Sequence, residues 1–283
     1  MGFSKINLVL LELKKINQSS KCINSGQSRF LCIYLKNKNI YKYPIKINEM
    51  PTQIDLTKIR QSLIRLEDSI IFSLFGRAEY KINEIIYQPQ GIIIPDFKGS
   101  FLDYMLRETE VLHASAGRYI DQREHPFSSN LPSMIVQRRK DDEIIKNISI
   151  NKNKEIQHTY LEAILNFCEP GDDNQYGSSA LWDIRCLQDL SKRIHFGTFV
   201  AESKFQNNPI EYSQLVFAKD LDRIREKLRD LKIEDQILQR VSKKGKKYEV
   251  NPQFIHDFYR DKVIPLTIDI EIEYLIQRAS LND

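Results

Sequence analysis

IRQSLIRLEDSIIFSLFGRAEY, residues 59–80, sets Ile59, Leu63, Leu66, Ile70 and Leu74 three or four positions apart. That spacing puts them on one face of an α-helix, and Asp55 just upstream is placed to cap its start. Working outward, Pro89, Gly91 and Pro95 break the chain, and Ser100 with Asp103 three residues on predicts a second helix reaching about Tyr119. A polar loop over 121–133 contains Pro126 and Pro132. Helical patterns follow at 155–167, 178–206, 209–217 and 220–241, and the basic run 243–247 reads as an exposed turn around Gly245. Asn251 before Pro252 supplies a cap and a first-turn proline for a last helix. Within it Ile264, Leu266, Ile268, Ile270 and Ile272 alternate as a strand would, a local conflict with the helical reading. The expectation is an all-α fold, one multi-helix bundle over 50–283, with no internal repeat.

The 283 residues are 41% hydrophobic, enough for a substantial core. No apolar run approaches the length of a membrane span. Cys22, Cys32, Cys168 and Cys186 show no metal-ligand spacing and are too few for a disulfide framework, so buried free thiols are expected. The net charge of +4 is unevenly spread. Residues 1–49 hold nine Lys/Arg against two Glu, leaving 33 basic and 36 acidic side chains in the rest. A body of net −3 is no footprint for nucleic acid. The basic segment 1–49 reads either as a disordered leader or as a transit peptide, with Met50 a natural start. That leaves the cytoplasm, or a plastid if a transit peptide is present.

Four blocks together resemble the chorismate mutases of the all-helical, eukaryotic (yeast and plant) type: 59–80, PDFKGSFLDYML (95–106), LSKRIHFGTFVAESKFQ (190–206) and VIPLTIDIEIEYLIQR (263–278). The resemblance implies a homodimer with an active site inside each subunit, converting chorismate to prephenate without metal or cofactor. Carried over by motif, the catalytic residues are Arg60, Arg193, Lys204, Glu234 and Glu271, with Asp230 and Thr267 also binding substrate. Yeast-like members have Asn where Asp230 stands. On one continuous helix Arg193 and Lys204, eleven residues apart, fall within about 20° of one line. The pairs Asp230/Glu234 and Thr267/Glu271 are each four residues apart and share a face.

Taken singly, Arg60 is an ordinary solvated residue, Arg193 and Lys204 a charged stripe, and Glu271 a surface acid; the simultaneous match reverses those readings. His195 has no nucleophile arranged around it and reads as a packing or hydrogen-bonding residue. There is no GxGxxG fingerprint for a fused dehydrogenase. The mechanism implied is a clamp of Arg60 and Arg193 on chorismate's two carboxylates. Lys204 and a protonated Glu271 would serve the breaking ether oxygen, and Glu234 would accept from the ring hydroxyl. The resemblance also implies aromatic amino acid effectors (Trp, Tyr or Phe) between subunits, at Asn174, Gly177 and Ser178 of one and Arg118 of the other. Rival readings are a helical interaction protein without catalysis and a nucleic-acid binder using the basic extension.

Overall fold

The computed structural model describes residues 54–136 and 144–280, together with Leu35–Lys36 and Asn39–Ile40. The chain divides into two units, Met1–Met50 and Pro51–Asp283. In the first, β1 (Leu35–Lys36) pairs antiparallel with β2 (Asn39–Ile40), Leu35 opposite Ile40. The leader and transit-peptide readings, with Cys22 and Cys32, lie outside the described residues.

The described part of the second unit is helical, apart from one isolated bridge between Ile94 and Phe97. Its helices are α1 (Leu56–Ala78), α2 (Phe101–Ser115), α3 (Asn153–Ile164), α4 (Tyr176–His195), α5 (Gly197–Asn207), α6 (Pro209–Phe217), α7 (Leu221–Leu228), α8 (Leu231–Lys247), α9 (Pro252–Phe258) and α10 (Ile264–Ser280). None is long and apolar enough to cross a membrane. The capping expectations hold. Asp55 accepts from Thr57 and Lys58 N–H, Ser100 and Asp103 form a full capping box, and Asn251 caps α9.

Four parts of the sequence reading change most. The second helix stops at Ser115, because Gly117 turns left-handed at φ 76° before a 3₁₀ turn over Arg118–Ile120. The expected helix over 178–206 is two, α4 and α5, joined at Phe196. There the bundle packs too closely for a side chain: a Cβ on Gly197 would lie 2.9 Å from the Thr267 carbonyl oxygen. The expected helix over 220–241 is also two, because Arg229 (ψ 140°) and Asp230 (ψ 92°) are extended. Lastly, 243–247 is no exposed turn. Helix α8 runs through it, Gly245 is buried, and the chain reverses only at Glu249, at φ 59°.

The last helical stretch starts at Pro252 and passes through a π-helical turn, Tyr259–Val263, into α10. Its strand-like alternation is harmless, since Ile264, Thr267, Ile268, Ile270, Glu271, Ile272, Tyr274 and Leu275 are all buried. A helix surrounded on nearly all sides has no polar face whose period could show.

Helices α1 and α4 pack along their length, pinned by a buried ion pair: Arg77 Nε donates to Asp183 at 2.7 Å, and both side chains are fully buried. Tyr87 and Tyr160 donate to the same carboxylate, and Arg77 also serves the carbonyls of Tyr80, Lys81 and Ile82. With all five guanidinium protons and both carboxylate oxygens engaged, this pair meets the condition under which a buried charge is tolerated. Burial pushes Cys168 up to about 11, and Cys186 is driven upward too, so both are inert thiols.

Candidate active site

Lys204 on α5 and Glu271 on α10 face each other, Nζ to Oε2 at 2.9 Å, and the same ammonium donates to the Leu228 carbonyl at 2.6 Å. Glu271 is 5% exposed. Burial raises its pKa above the ordinary carboxyl value; Lys204 and Arg193 pull it back and Glu234 pushes it up, leaving a net rise. One turn away on α10, Thr267 donates its hydroxyl proton to the Val263 carbonyl at 2.7 Å. Its oxygen is thereby left to accept from Arg193 Nη1 at 3.5 Å.

Arg193 is 3% exposed, and its Nε has no hydrogen-bond partner among the described residues. Leaving a guanidinium N–H buried and unpaired is costly, so this donor marks a place where an acceptor is stabilised. The break at Phe196 does not separate Arg193 from Lys204. Phe196 keeps helical φ and ψ (−58°, −15°), and both cations reach one cavity of about 330 Å³.

Arg60, Asp230, Glu234, Thr267 and Glu271 line that same cavity, so all seven residues carried over from the sequence meet there. Arg60 is exposed on α1, and its side chain makes no hydrogen bond or ion pair among the described residues. Asp230 has a plain structural duty: it is the N-cap of α8, accepting from Ile233 N–H at 3.2 Å.

The family described as Chorismate mutase type II matches residues 176–272, a span holding six of those seven side chains. The chorismate mutase of Emericella nidulans is 39% identical over 256 residues, covering 83% of this chain and 96% of the relative. The solved chorismate mutase of Candida albicans in complex with L-Trp superposes with a TM-score of 0.79 at 36% identity, covering 81% of this chain and 94% of that one. The structure of AtCM1 with tyrosine bound in its allosteric site gives a TM-score of 0.74 at 39% identity, over 80% of this chain and 97% of that one. Relatives in Arabidopsis thaliana and Zea mays are named as chloroplastic. The chain belongs to the type II chorismate mutase family. It is an isomerase of the all-helical class, converting chorismate to prephenate.

Two charged side chains of this chorismate mutase's cavity, Glu67 and Arg240, escaped the sequence reading. Glu67 on α1 is fully buried and held by a fork from Arg240 on α8, at 2.7 Å on each oxygen. Lys244 adds a third contact at 3.2 Å and also donates to the Ile64 carbonyl. The signal was faint. Glu67 sits on the apolar stripe of α1, one residue beyond Leu66, where an acid needs a partner.

His195 fits the packing reading. Its Nδ1 lies 2.8 Å from the Ser191 carbonyl, Nε2 accepts from Lys152 N–H at 3.1 Å, and the ring stacks on His125 at 4.0 Å. Burial lowers its pKa to about 3, so it is a neutral structural ring. Among the described residues no group of His, Cys, Asp and Glu is arranged to hold a metal.

The residues expected around an effector do not meet within one chain. Gly177 and Ser178 begin α4, with open space around Gly177 and Asn174 left-handed at φ 61°. Arg118 instead lies against Gln188 on the same helix (2.9 Å) and holds Glu124 through Nε and Nη2 (3.1 and 2.9 Å). Ten residues of helix separate Ser178 from Gln188, roughly 15 Å.

Proposed function

We propose that the cavity shared by Arg60, Arg193, Lys204, Glu234, Thr267 and Glu271 holds chorismate and that these side chains promote its rearrangement to prephenate. In this reaction one C–O bond breaks as one C–C bond forms through a cyclic, chair-like transition state, so no proton or electron has to enter or leave. The protein helps by holding the reactive conformer and by setting donors where charge develops. Arg60 and Arg193 take the two carboxylates. Lys204 and neutral Glu271 donate to the ether oxygen as it gains negative charge, Glu234 accepts from the ring hydroxyl, and Thr267 orients Arg193.

The observation that carries this reading is the unpaired Nε of buried Arg193 beside the Lys204–Glu271 pair. The surrounding ion pairs support it. Glu67 is neutralised by Arg240 and Lys244, Glu234 by Arg229, and Asp230 by the start of α8. Arg60 and Arg193 make no ion pair among the described residues, and Lys204 pairs with Glu271, so three cations are placed to meet a dianion. The test is loss of chorismate's ultraviolet absorbance with purified wild type and Arg193→Ala. Wild type should turn over and the variant lose at least about 100-fold in kcat/KM, the weight of one preorganised donor. Equal activities would remove Arg193 from the site.

Aromatic amino acids are the effectors in this reading, bound between two copies of the chain. The separation of Arg118 from Gly177 and Ser178 along α4 supports a homodimer, since only a second copy can bring them together. Related enzymes crystallised with L-Trp, or with tyrosine in an allosteric site, support the ligand class. If saturating Trp, Tyr and Phe each leave the chorismate saturation curve unchanged, the regulatory reading falls. The compartment in this reading is the cytoplasm, with a plastid the alternative if residues 1–49 act as a transit peptide.

A further inference from the structure

The joint between α7 and α8 is two residues long, and both its ends are tied to the cavity. The Leu228 carbonyl before it holds Lys204, and Asp230 caps the helix that carries Glu234. Between them stands Arg229, extended at φ −75° and ψ 140°, which reaches five residues forward. Its Nε donates to Glu234 Oε1 at 2.9 Å while Nη2 donates to Oε2, a bidentate fork. The Glu234 side chain is 15% exposed and lines the cavity; that of Arg229 is 44% exposed and does not.

We propose that Arg229 is a positioning residue for the rearrangement, fixing the plane of the Glu234 carboxylate so that its remaining lone pairs face the ring hydroxyl of chorismate. This rests on the role given above to Glu234. The physical case is the freedom a glutamate otherwise keeps: its last torsion is broad and roughly two-fold, so an unheld carboxylate turns away from any one acceptor direction. Each carboxylate oxygen accepts two hydrogen bonds, and the fork uses one on each, leaving one on each for substrate. Only a planar guanidinium sets both oxygens at once; an ammonium neutralises the charge without fixing the plane.

The experiment measures kcat, KM and melting temperature for wild type, Arg229→Ala, Arg229→Lys, Glu234→Gln and the double variant Arg229→Ala/Glu234→Gln. Arg229→Ala should raise KM for chorismate about tenfold, the size of one ordinary hydrogen bond, with melting temperature nearly unchanged. Arg229→Lys should recover only part of that loss. The double variant should be no worse than Glu234→Gln alone, because Arg229 acts through that carboxylate. Three results would overturn the proposal: an unchanged KM in Arg229→Ala while Glu234→Gln is impaired, full recovery by Arg229→Lys, or losses that multiply in the double variant. Should Glu234→Gln itself leave KM unchanged, the role of Glu234 fails first and the proposal with it.

Discussion

Replacing Glu271 by glutamine tests the chemistry most directly, because the two side chains have the same shape and differ in when they can donate. An ionised carboxylate only accepts hydrogen bonds and repels an ether oxygen gaining negative charge; the protonated form donates one. Glu271 is 5% exposed, and burial lifts its pKa despite Lys204 at 2.9 Å and the nearby Arg193. Chorismate, a dianion bound by those same cations, cancels part of their pull and lifts it further. Wild-type kcat should therefore be highest under mildly acidic conditions and fall as pH rises through the pKa of the complex, with kcat/KM falling earlier, through that of the free enzyme. Glu271→Gln keeps an N–H donor at every pH and should flatten the alkaline fall. Glu271→Ala should be about 100- to 1000-fold slower throughout, since losing one preorganised donor costs roughly 2.7–4 kcal/mol. Stability carries the same sign. A carboxyl whose folded pKa is raised stabilises fully below its unfolded pKa and loses that contribution as pH rises through the folded value, a decline the Gln variant should lack. The assay is absorbance loss of chorismate across pH for wild type and the Gln variant. Superimposable profiles would show that Glu271 is not the titrating donor, and its place beside the ether oxygen would be withdrawn.

Lys204→Ala should lower kcat by about 100- to 1000-fold with the fold intact by circular dichroism; retention of more than about a third of wild-type kcat, a loss of under about 1 kcal/mol, would remove it from that role. Asp230→Asn should be nearly silent, since asparagine caps a helix as well as aspartate, whereas Asp230→Ala should cost about 1 kcal/mol in a denaturant titration. A large kcat loss in Asp230→Asn would instead make the charge itself part of the chemistry. Gly197→Ala places a methyl group 2.9 Å from the Thr267 carbonyl oxygen. It should lower stability by about 1–3 kcal/mol and depress activity by moving α10; an unchanged melting curve would mean the contact yields freely.

Much of this protein is decided along the chain. The spacing of Ile59, Leu63, Leu66, Ile70 and Leu74 makes α1, and Asp55, Ser100 and Asn251 start helices where they stand, because caps and periodicity act over one or two turns. Five residues of the cavity, Arg60, Arg193, Lys204, Thr267 and Glu271, were legible too, since the blocks that carry them are long enough to be specific, and Asp230 and Glu234 followed from the helix between those blocks. What the chain order could not supply is where the helices break and which charges are already engaged. Phe196 and the Arg229–Asp230 joint interrupt patterns that are helical by sequence, and Gly245, a breaker by composition, lies inside α8. Tertiary contact bears on two of these: Gly197 has the Thr267 backbone against it, and Gly245 packs near Val250 and Ile255. Glu67 and Arg240 are 173 residues apart in sequence, so no local pattern pairs them, yet a fully buried carboxylate must find its cations or stay neutral. Chain order therefore set which groups line the cavity, and folding alone, through burial and pairing, set which of them are engaged among the described residues: Arg193 Nε without a partner, Glu67 and Glu234 already held.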